Sequence, residues 1–274
     1  MKNLRLRRII NPDTGKMLIY PLDHGMTLGP IEGIENIYHT MSRVSGLPVD
    51  GFVLHKGQIK HVAPNLGRNR LSGIIMHLNG SVGFSPNCLN KIQVSTVQDA
   101  LRMGADAVSF HLNIGCEDDK EMLKALGDVS SECEFWGMPL LVMAYAVKGG
   151  KVTNDTKQVA IAARVAMELG ADLVKLSYTG SPETFAQVVE GADIPIIVAG
   201  GGYDDNPRQF LQNVYDSMQV GAAGIAVGRK IFQDRAPERV LLALQRIINE
   251  GASVDFAYQE MLAFNLAEAK ASAI

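Results

Sequence analysis

Residues 169–178, "LGADLVKLSY", have two close echoes in the chain, "MGADAVSFHL" at 103–112 and "VGAAGIAVGR" at 220–229. In each, a helical run stops at Gly-Ala and a short apolar stretch follows, the pattern of a C-cap glycine feeding a parallel strand. The repeated unit is therefore a helix followed by a strand. Five more apolar stretches share that character: "MLIYPLDHG" at 17–25, "VDGFVLHKG" at 49–57, "SGIIMHL" at 72–78, "MPLLVMAY" at 138–145 and "IPIIVAGGG" at 194–202. Together they make eight expected strands.

The intervening segments carry helix signals. Ser181 before Pro182 supplies an N-cap and a first-turn proline, with Phe185, Val188 and Val189 on one face and Gly191 as the stop. Asn206 and Pro207 repeat that start, followed by the stripe Phe210, Leu211, Val214 and Met218. From Thr156 to Leu169, Val159, Ala163, Ala166 and Met167 form another face to be buried. The segment "NGSVGFSPNCLNK" at 79–91 reads as a long polar loop before a helix near Val97 to Met103, and long loops in compact domains are often functional.

Eight strands alternating with helices predict an α/β fold of the (β/α)8 TIM-barrel type. A doubly wound open sheet would instead place a glycine-rich phosphate turn after its first strand. Here the first strand ends in "PLDHG", and glycines crowd after the seventh and eighth. No linker divides the chain, so one barrel domain over 1–274 is expected, with a helical extension from about 250. In that extension Phe256, Met261, Leu262 and Leu266 suit packing on the barrel or on another subunit, and a homo-oligomer is expected.

Composition narrows the classes further. With 47% hydrophobic and 20% charged residues the chain reads as a soluble globular protein, and a formal charge of −3 leaves no electrostatic footprint for nucleic acid. The cluster Arg5, Arg7 and Arg8 reads as a solvated helix face. No apolar run approaches the roughly 20 residues that span a bilayer, and no hydrophobic signal region follows the N-terminal charges, so a cytoplasmic protein is expected. Cys88, Cys116 and Cys133 lack CxxC spacing and are expected to be reduced and structural. His24, His55, His77 and His111 fall near strand ends without ligand-pair spacing, so substrate or core contacts are expected of them, with neither metal nor cofactor.

Side chains alternate along a strand, so Leu173, Lys175 and Ser177 share one face and Val174 and Leu176 the other. If the Val174 face meets the helices, Lys175 points into the barrel. Burial disfavours an ammonium, and a neutral amine can attack a carbonyl to form a Schiff base. The alternative is a lysine paired with a barrel carboxylate for structural reasons. Asp23, closing strand one, and Tyr145, closing strand five, add two ionisable groups on the same rim, although "DHG" can also be a plain turn and a terminal Tyr can simply cover a core. After strand seven, Gly200, Gly201 and Gly202 can offer backbone N–H groups to an anion; after strand eight, Gly228 and Arg229 add another N–H and a guanidinium.

The pieces "PLDHG", "VLHKG", "MGADAVSFHLNIG", "WGMPLLVMAY", "LGADLVKLSYTG", "VAGGG" and "GAAGIAVGR", spread over 17–235, resemble the class I aldolases of the deoxyribose-phosphate and archaeal-type fructose-bisphosphate aldolase group. "DHGMTLGPIEG" and "HLNIG" carry a finer likeness to 2-amino-3,7-dideoxy-D-threo-hept-6-ulosonate synthases and other makers of C7 precursors of aminohydroxybenzoates. The resemblance implies that Lys175 is the Schiff-base lysine, Asp23 and Tyr145 the acid/base pair, and Gly200 to Gly202 with Gly228 and Arg229 the grip on a donor phosphate. His24, His111 and Lys56 would lie on the rim, with Lys56 the competitor for the nucleophile. The implied partners are a phosphorylated ketose or dihydroxyacetone phosphate and an aldehyde such as aspartate semialdehyde. Two other functions are consistent with a lysine barrel: acyl transfer on a phosphorylated signalling sugar, and non-catalytic binding of a sugar phosphate. One departure stands out. Relatives continue strand five as Tyr-Pro-Arg-Gly, whereas this chain reads "AYAVKGG", so the proline is lost and Lys148 is the nearest basic residue.

Overall fold

Eight parallel strands lie where the apolar stretches predict them: β1 (Met17–Pro21), β2 (Gly51–Leu54), β3 (Gly73–His77), β4 (Ala107–Ile114), β5 (Leu140–Lys148), β6 (Leu173–Leu176), β7 (Ile196–Ala199) and β8 (Gly224–Ala226). In this computed structural model, which describes residues 1–65, 72–202 and 206–264, hydrogen-bonded neighbours run β4-β3-β2-β1-β8-β7-β6-β5. A further pairing of β4 with β5 closes the circle into a (β/α)8 barrel.

The helices follow in chain order: α1 (Lys2–Leu6), α2 (Gly25–Leu28), α3 (Ile37–Arg43), α4 (Lys56–Val62), α5 (Val97–Arg102), α6 (Asp119–Trp136), α7 (Thr156–Glu168), α8 (Pro182–Glu190), α9 (Pro207–Gln219), α10 (Arg229–Phe232), α11 (Pro237–Glu250) and α12 (Val254–Ala263). Their starts are chemically marked. Ser181 Oγ accepts from the Thr184 N–H at 3.3 Å, and Asn206 Oδ1 accepts from the Gln209 N–H at 3.0 Å, each ahead of a first-turn proline.

Strand alternation splits the apolar residues into two cores. Leu18, Phe52, Ile74, Phe110, Val142, Val174, Val198 and Ile225 face outward into the helices, while Met17, Ile19, Val53, Ile75, Leu141, Leu173, Ile197 and Ala226 fill the barrel. Ile9, fully buried, belongs to the inner core although it precedes β1. The N-terminal segment thus plugs the barrel floor. Arg7 and Arg8 are exposed, as expected of a solvated face, although Arg8 Nη1 also donates to Asp106 Oδ1 at 2.9 Å; Arg5 is instead half-buried, its Nη1 donating to the Ala105 carbonyl at 3.0 Å. Ile9→Ala should cost about 2–5 kcal/mol, the range for a large-to-small change in a tight core. Denaturant titration checks this, and a loss below about 1 kcal/mol would mean that the plug is loosely seated.

Three segments differ from expectation. The connection after β3 is not simply a loop, because Asn79–Gly80 pairs antiparallel with Ile92–Gln93 to make a two-stranded ribbon. β5 runs past Tyr145 to Lys148 and folds back on Lys151–Val152. Gly149 and Gly150, with φ of 58° and 75°, form the two-residue turn that such a hairpin requires. Ala146 in place of proline lets the strand continue, since proline would fix φ and remove an N–H. Finally, α12 packs against α11 and α9 through Val254, Ala257 and Met261, whereas Phe256 and Leu262 are exposed and Leu266 lies outside the described residues. No described helix is long and apolar enough to cross a membrane.

Candidate active site

Toward the C-terminal ends of the strands the inward positions change from apolar to polar. The same alternation that buries Ile75, Leu141 and Leu173 brings His77, Ser109, His111, Asn113, Tyr145 and Lys175 inward above them. Lys175 is 7% exposed and lies in register between Met143 of β5 and Ile197 of β7. A cavity of about 760 Å³ opens over it, lined among others by Asp23, His24, His111, Tyr145, Ser177, Gly200, Gly201, Gly202, Gly228 and Arg229. The fold therefore gathers all of the sequence-predicted residues but one. Lys56 lies outside, exposed at the start of α4, with its Nζ donating to the Val94 carbonyl at 2.6 Å. Lys148 is exposed on the β5 hairpin and does not line the cavity.

The centre of the cavity is a charged group surrounded by neutral rings. Burial by itself would raise the Asp23 carboxyl, but His77, His24, Lys175 and His55 oppose it electrostatically and hold it below the usual carboxylate range. His77 Nε2 stands 3.7 Å from Asp23 Oδ2, and its Nδ1 shares a 2.8 Å hydrogen bond with Ser109 Oγ. Burial pushes the His77 ring down to about 3 against the pull of Asp23, and pushes His111 down to about 4 with help from Lys91. Near neutral pH those two rings are thus uncharged, and they leave Asp23 a buried carboxylate within electrostatic reach of Lys175. His111 Nε2 and Asn113 Oδ1 are 2.9 Å apart, and the His111 ring lies 5.0 Å from that of Tyr145. The phenol is consequently braced on one side and open to the cavity on the other.

Opposite the histidines, the loops after β7 and β8 make a basic recess. Gly202 lies against the Arg229 guanidinium, since a Cβ there would stand 3.6 Å from Nη1. Arg229 Nε is buried with no hydrogen-bond partner among the described residues. Gly228 is closely overlaid: a Cβ would come within 2.6 Å of His24 Cε1 and 2.8 Å of the Pro21 carbonyl oxygen. His24 in turn meets Phe232 edge to face, with ring centres 5.3 Å apart. A half-buried guanidinium whose Nε has no partner among the described residues, set beside side-chain-free backbone, suits an anion.

His77, expected from sequence only as a substrate or core contact, and Lys91, not singled out there, both line the cavity. The alternation that turned Lys175 inward, applied to "SGIIMHL", places His77 on the cavity side rather than in the outer core. Lys91 cannot be placed in this way, because it lies at the end of an irregular segment with no periodicity to orient it.

Comparison with known proteins supplies the chemical context. The DeoC/LacD family of aldolases matches residues 17–234. The chain is 38% identical over 256 residues to 2-amino-3,7-dideoxy-D-threo-hept-6-ulosonate synthase of Halobacterium salinarum, covering 93% of this chain and 94% of the relative. It is 37% identical over 254 residues to 2-amino-4,5-dihydroxy-6-oxo-7-(phosphonooxy)heptanoate synthase of Streptomyces griseus, covering 92% of each. Among solved structures, a Schiff-base-forming fructose-1,6-bisphosphate aldolase superposes with a TM-score of 0.80 at 30% identity, over 90% of this chain and 100% of the other.

Proposed function

The chain belongs to the DeoC/LacD family of aldolases, a class I enzyme whose likeness is to Schiff-base formers, and from that premise we propose that Lys175 is its nucleophile. The observation that carries the proposal is the placement of Lys175, buried on the inward face of β6 at the floor of the cavity with Asp23 in electrostatic range. Its amine would attack the ketone carbon of a phosphorylated donor, a ketose phosphate or dihydroxyacetone phosphate, and loss of water would leave an iminium. Transfer of a proton from the adjacent carbon, or cleavage of its bond to the next, gives the enamine. Addition of that enamine to an aldehyde such as aspartate semialdehyde forms the new C–C bond, the resulting alkoxide takes up a proton, and water then releases the product. Asp23, held ionised, is suited to accept protons, and the Tyr145 hydroxyl to pass them at the new or broken bond. Fructose-bisphosphate cleavage is the same sequence run backward on another substrate.

The donor phosphate would sit in the recess of Gly200, Gly201, Gly202, Gly228 and Arg229, with Ser177 and His24 lining the same cavity for further substrate contacts. We place this chemistry in the cytoplasm, a setting in keeping with three cysteines that form no disulfide. Acyl transfer and non-catalytic binding are not favoured by the relatives, which are named as synthases and aldolases.

Borohydride reduction in the presence of dihydroxyacetone phosphate tests the nucleophile directly. The expected result is a mass increment on the peptide containing Lys175; an increment located on another lysine overturns the assignment. Arg229→Gln should raise KM for a phosphorylated donor by roughly 10- to 100-fold, the scale of a hydrogen bond to a charged group. The same change should leave the unphosphorylated donor nearly unaffected. Equal losses on the two donors would remove Arg229 from the phosphate site.

A further inference from the structure

Lys91 has no role in the chemistry above, yet it is half-buried in the same cavity wall. It ends the 79–91 segment and immediately precedes the ribbon strand Ile92–Gln93. Its Nζ donates to Ser81 Oγ at 2.6 Å, and that hydroxyl already donates to the Cys88 carbonyl at 2.6 Å. Among the described residues no carboxylate forms an ion pair with it, and Asp23 reaches it only electrostatically. A lysine withdrawn from water and held by a single neutral hydroxyl keeps unused donors, and an anion is the ligand that satisfies them.

Its position around the barrel matters as much as its chemistry. In the circular strand order, β3 and β4 are each at least three places from β7 and β8, so the β3–β4 ribbon and the glycine loops occupy opposite sides of the rim. The cavity thus has a cationic group at each end, Arg229 by the loops and Lys91 by the ribbon, with Lys175 on the floor between. A substrate with one anion does not need two such poles. The β5 hairpin sharpens the point, because Lys148 is exposed outside the cavity while Val152 and Asn154 line it, leaving Lys91 as the cation of that half.

We infer that Lys91 binds an anionic group, carboxylate or phosphate, carried by the aldehyde acceptor, so that the enzyme joins two charged pieces held by opposite ends. This rests on the aldolase reading of the cavity. The geometry follows from it: with the donor phosphate fixed by Arg229 and its carbonyl carbon at Lys175, the aldehyde must approach from the β3–β5 side, past His111 and Tyr145. Lys91 then sets which aldehydes are bound in register with the enamine.

Steady-state kinetics at saturating donor test this with three acceptors: aspartate semialdehyde for a carboxylate, glyceraldehyde 3-phosphate for a phosphate, and glyceraldehyde for a neutral chain. Lys91→Met should lower kcat/KM by roughly 10- to 100-fold for the anionic acceptor that the wild type prefers, and by less than about threefold for glyceraldehyde. Lys91→Arg should restore most of the loss, since a guanidinium keeps the charge. Whichever charged aldehyde wild type prefers identifies the anion. Equal losses on all three acceptors, or none, overturn the inference. Borohydride trapping of donor by Lys91→Met should match wild type; absence of the Lys175 adduct in wild type would instead sink the aldolase assignment of the lysine. Calorimetry on an Arg229→Gln background, comparing glyceraldehyde 3-phosphate and aspartate semialdehyde with glyceraldehyde, reads the same charge discrimination without turnover. Binding there that is indifferent to charge, or to Lys91→Met, also overturns it.

Discussion

Lys175→Ala is expected to lower kcat by at least about 10⁴-fold, the scale on which removal of a covalent nucleophile acts. The reason is positional as much as chemical. Lys175 lies deep in the barrel, 7% exposed, where a carbonyl drawn into the cavity by its phosphate would meet its amine. Other lysines are near without being equivalent. Lys56 donates to the Val94 carbonyl outside this cavity, and Lys91 is engaged with Ser81 on the wall. Lys56→Ala should therefore leave the rate within about twofold, as surface changes away from a site usually do. The variant lacking Lys175 should remain folded, because the side chain borders an open cavity and the apolar residues that fill the barrel beneath it are untouched. Circular dichroism with single-turnover rates checks this. A Lys175→Ala enzyme that keeps more than about a hundredth of wild-type turnover and still traps donor would show that another amine does the work.

Tyr145→Phe should be the next largest effect, a fall in kcat of roughly 10²- to 10⁴-fold, the range for loss of a positioned general acid or base. The substitution keeps the ring that lies 5.0 Å from His111 and removes only the hydroxyl, so packing and donor binding should survive. What distinguishes this outcome from general damage is the covalent step. Borohydride should still mark Lys175, because the loss falls on proton transfer around C–C bond making or breaking and not on the attack of the amine. A variant that loses trapping in parallel with turnover would assign the tyrosine to Schiff-base formation instead. Since His77 and His111 are held neutral down to about 3 and 4 by burial, neither should supply the protonation limb of the rate profile near neutrality. Asp23, ionised throughout that range, is placed to receive the proton.

Much of this was legible in the residues. The Gly-Ala stops, the caps at Ser181 and Asn206 and the eight apolar stretches specified the barrel because they are local signals: a cap or a strand period is decided within a few residues. Lys175 was legible for the same reason, since period-two alternation orients a side chain as soon as one neighbour's face is known. His77 obeys that rule too, which decides between the substrate and core contacts that its place at a strand end left open. Where periodicity fails, so does the reading. The segment 79–91 has none, which is why its end at Lys91 gave no sign of entering the cavity. Lys56 and Lys148, chemically similar to Lys91, sit on a helix start and a hairpin that turn them away from it. The Pro-Arg replacement after Tyr145 was visible as a difference in letters, but its consequence was not. That strand β5 would continue and double back at Gly149–Gly150 depends on a partner at Lys151–Val152.

Sequence alone thus determined the architecture, the inward turn of Lys175 and the glycine-rich character of the last two loops, all of which follow from spacing along the chain. Tertiary structure decided which charges meet. Lys91 shares a cavity with Arg229 because strands far apart in sequence close into one ring, and Ile9 seals the floor of that ring from before its first strand. Asp23 is set among neutral histidines for the same reason, as desolvation is imposed by everything packed around a group and is not a property of its neighbours in the chain.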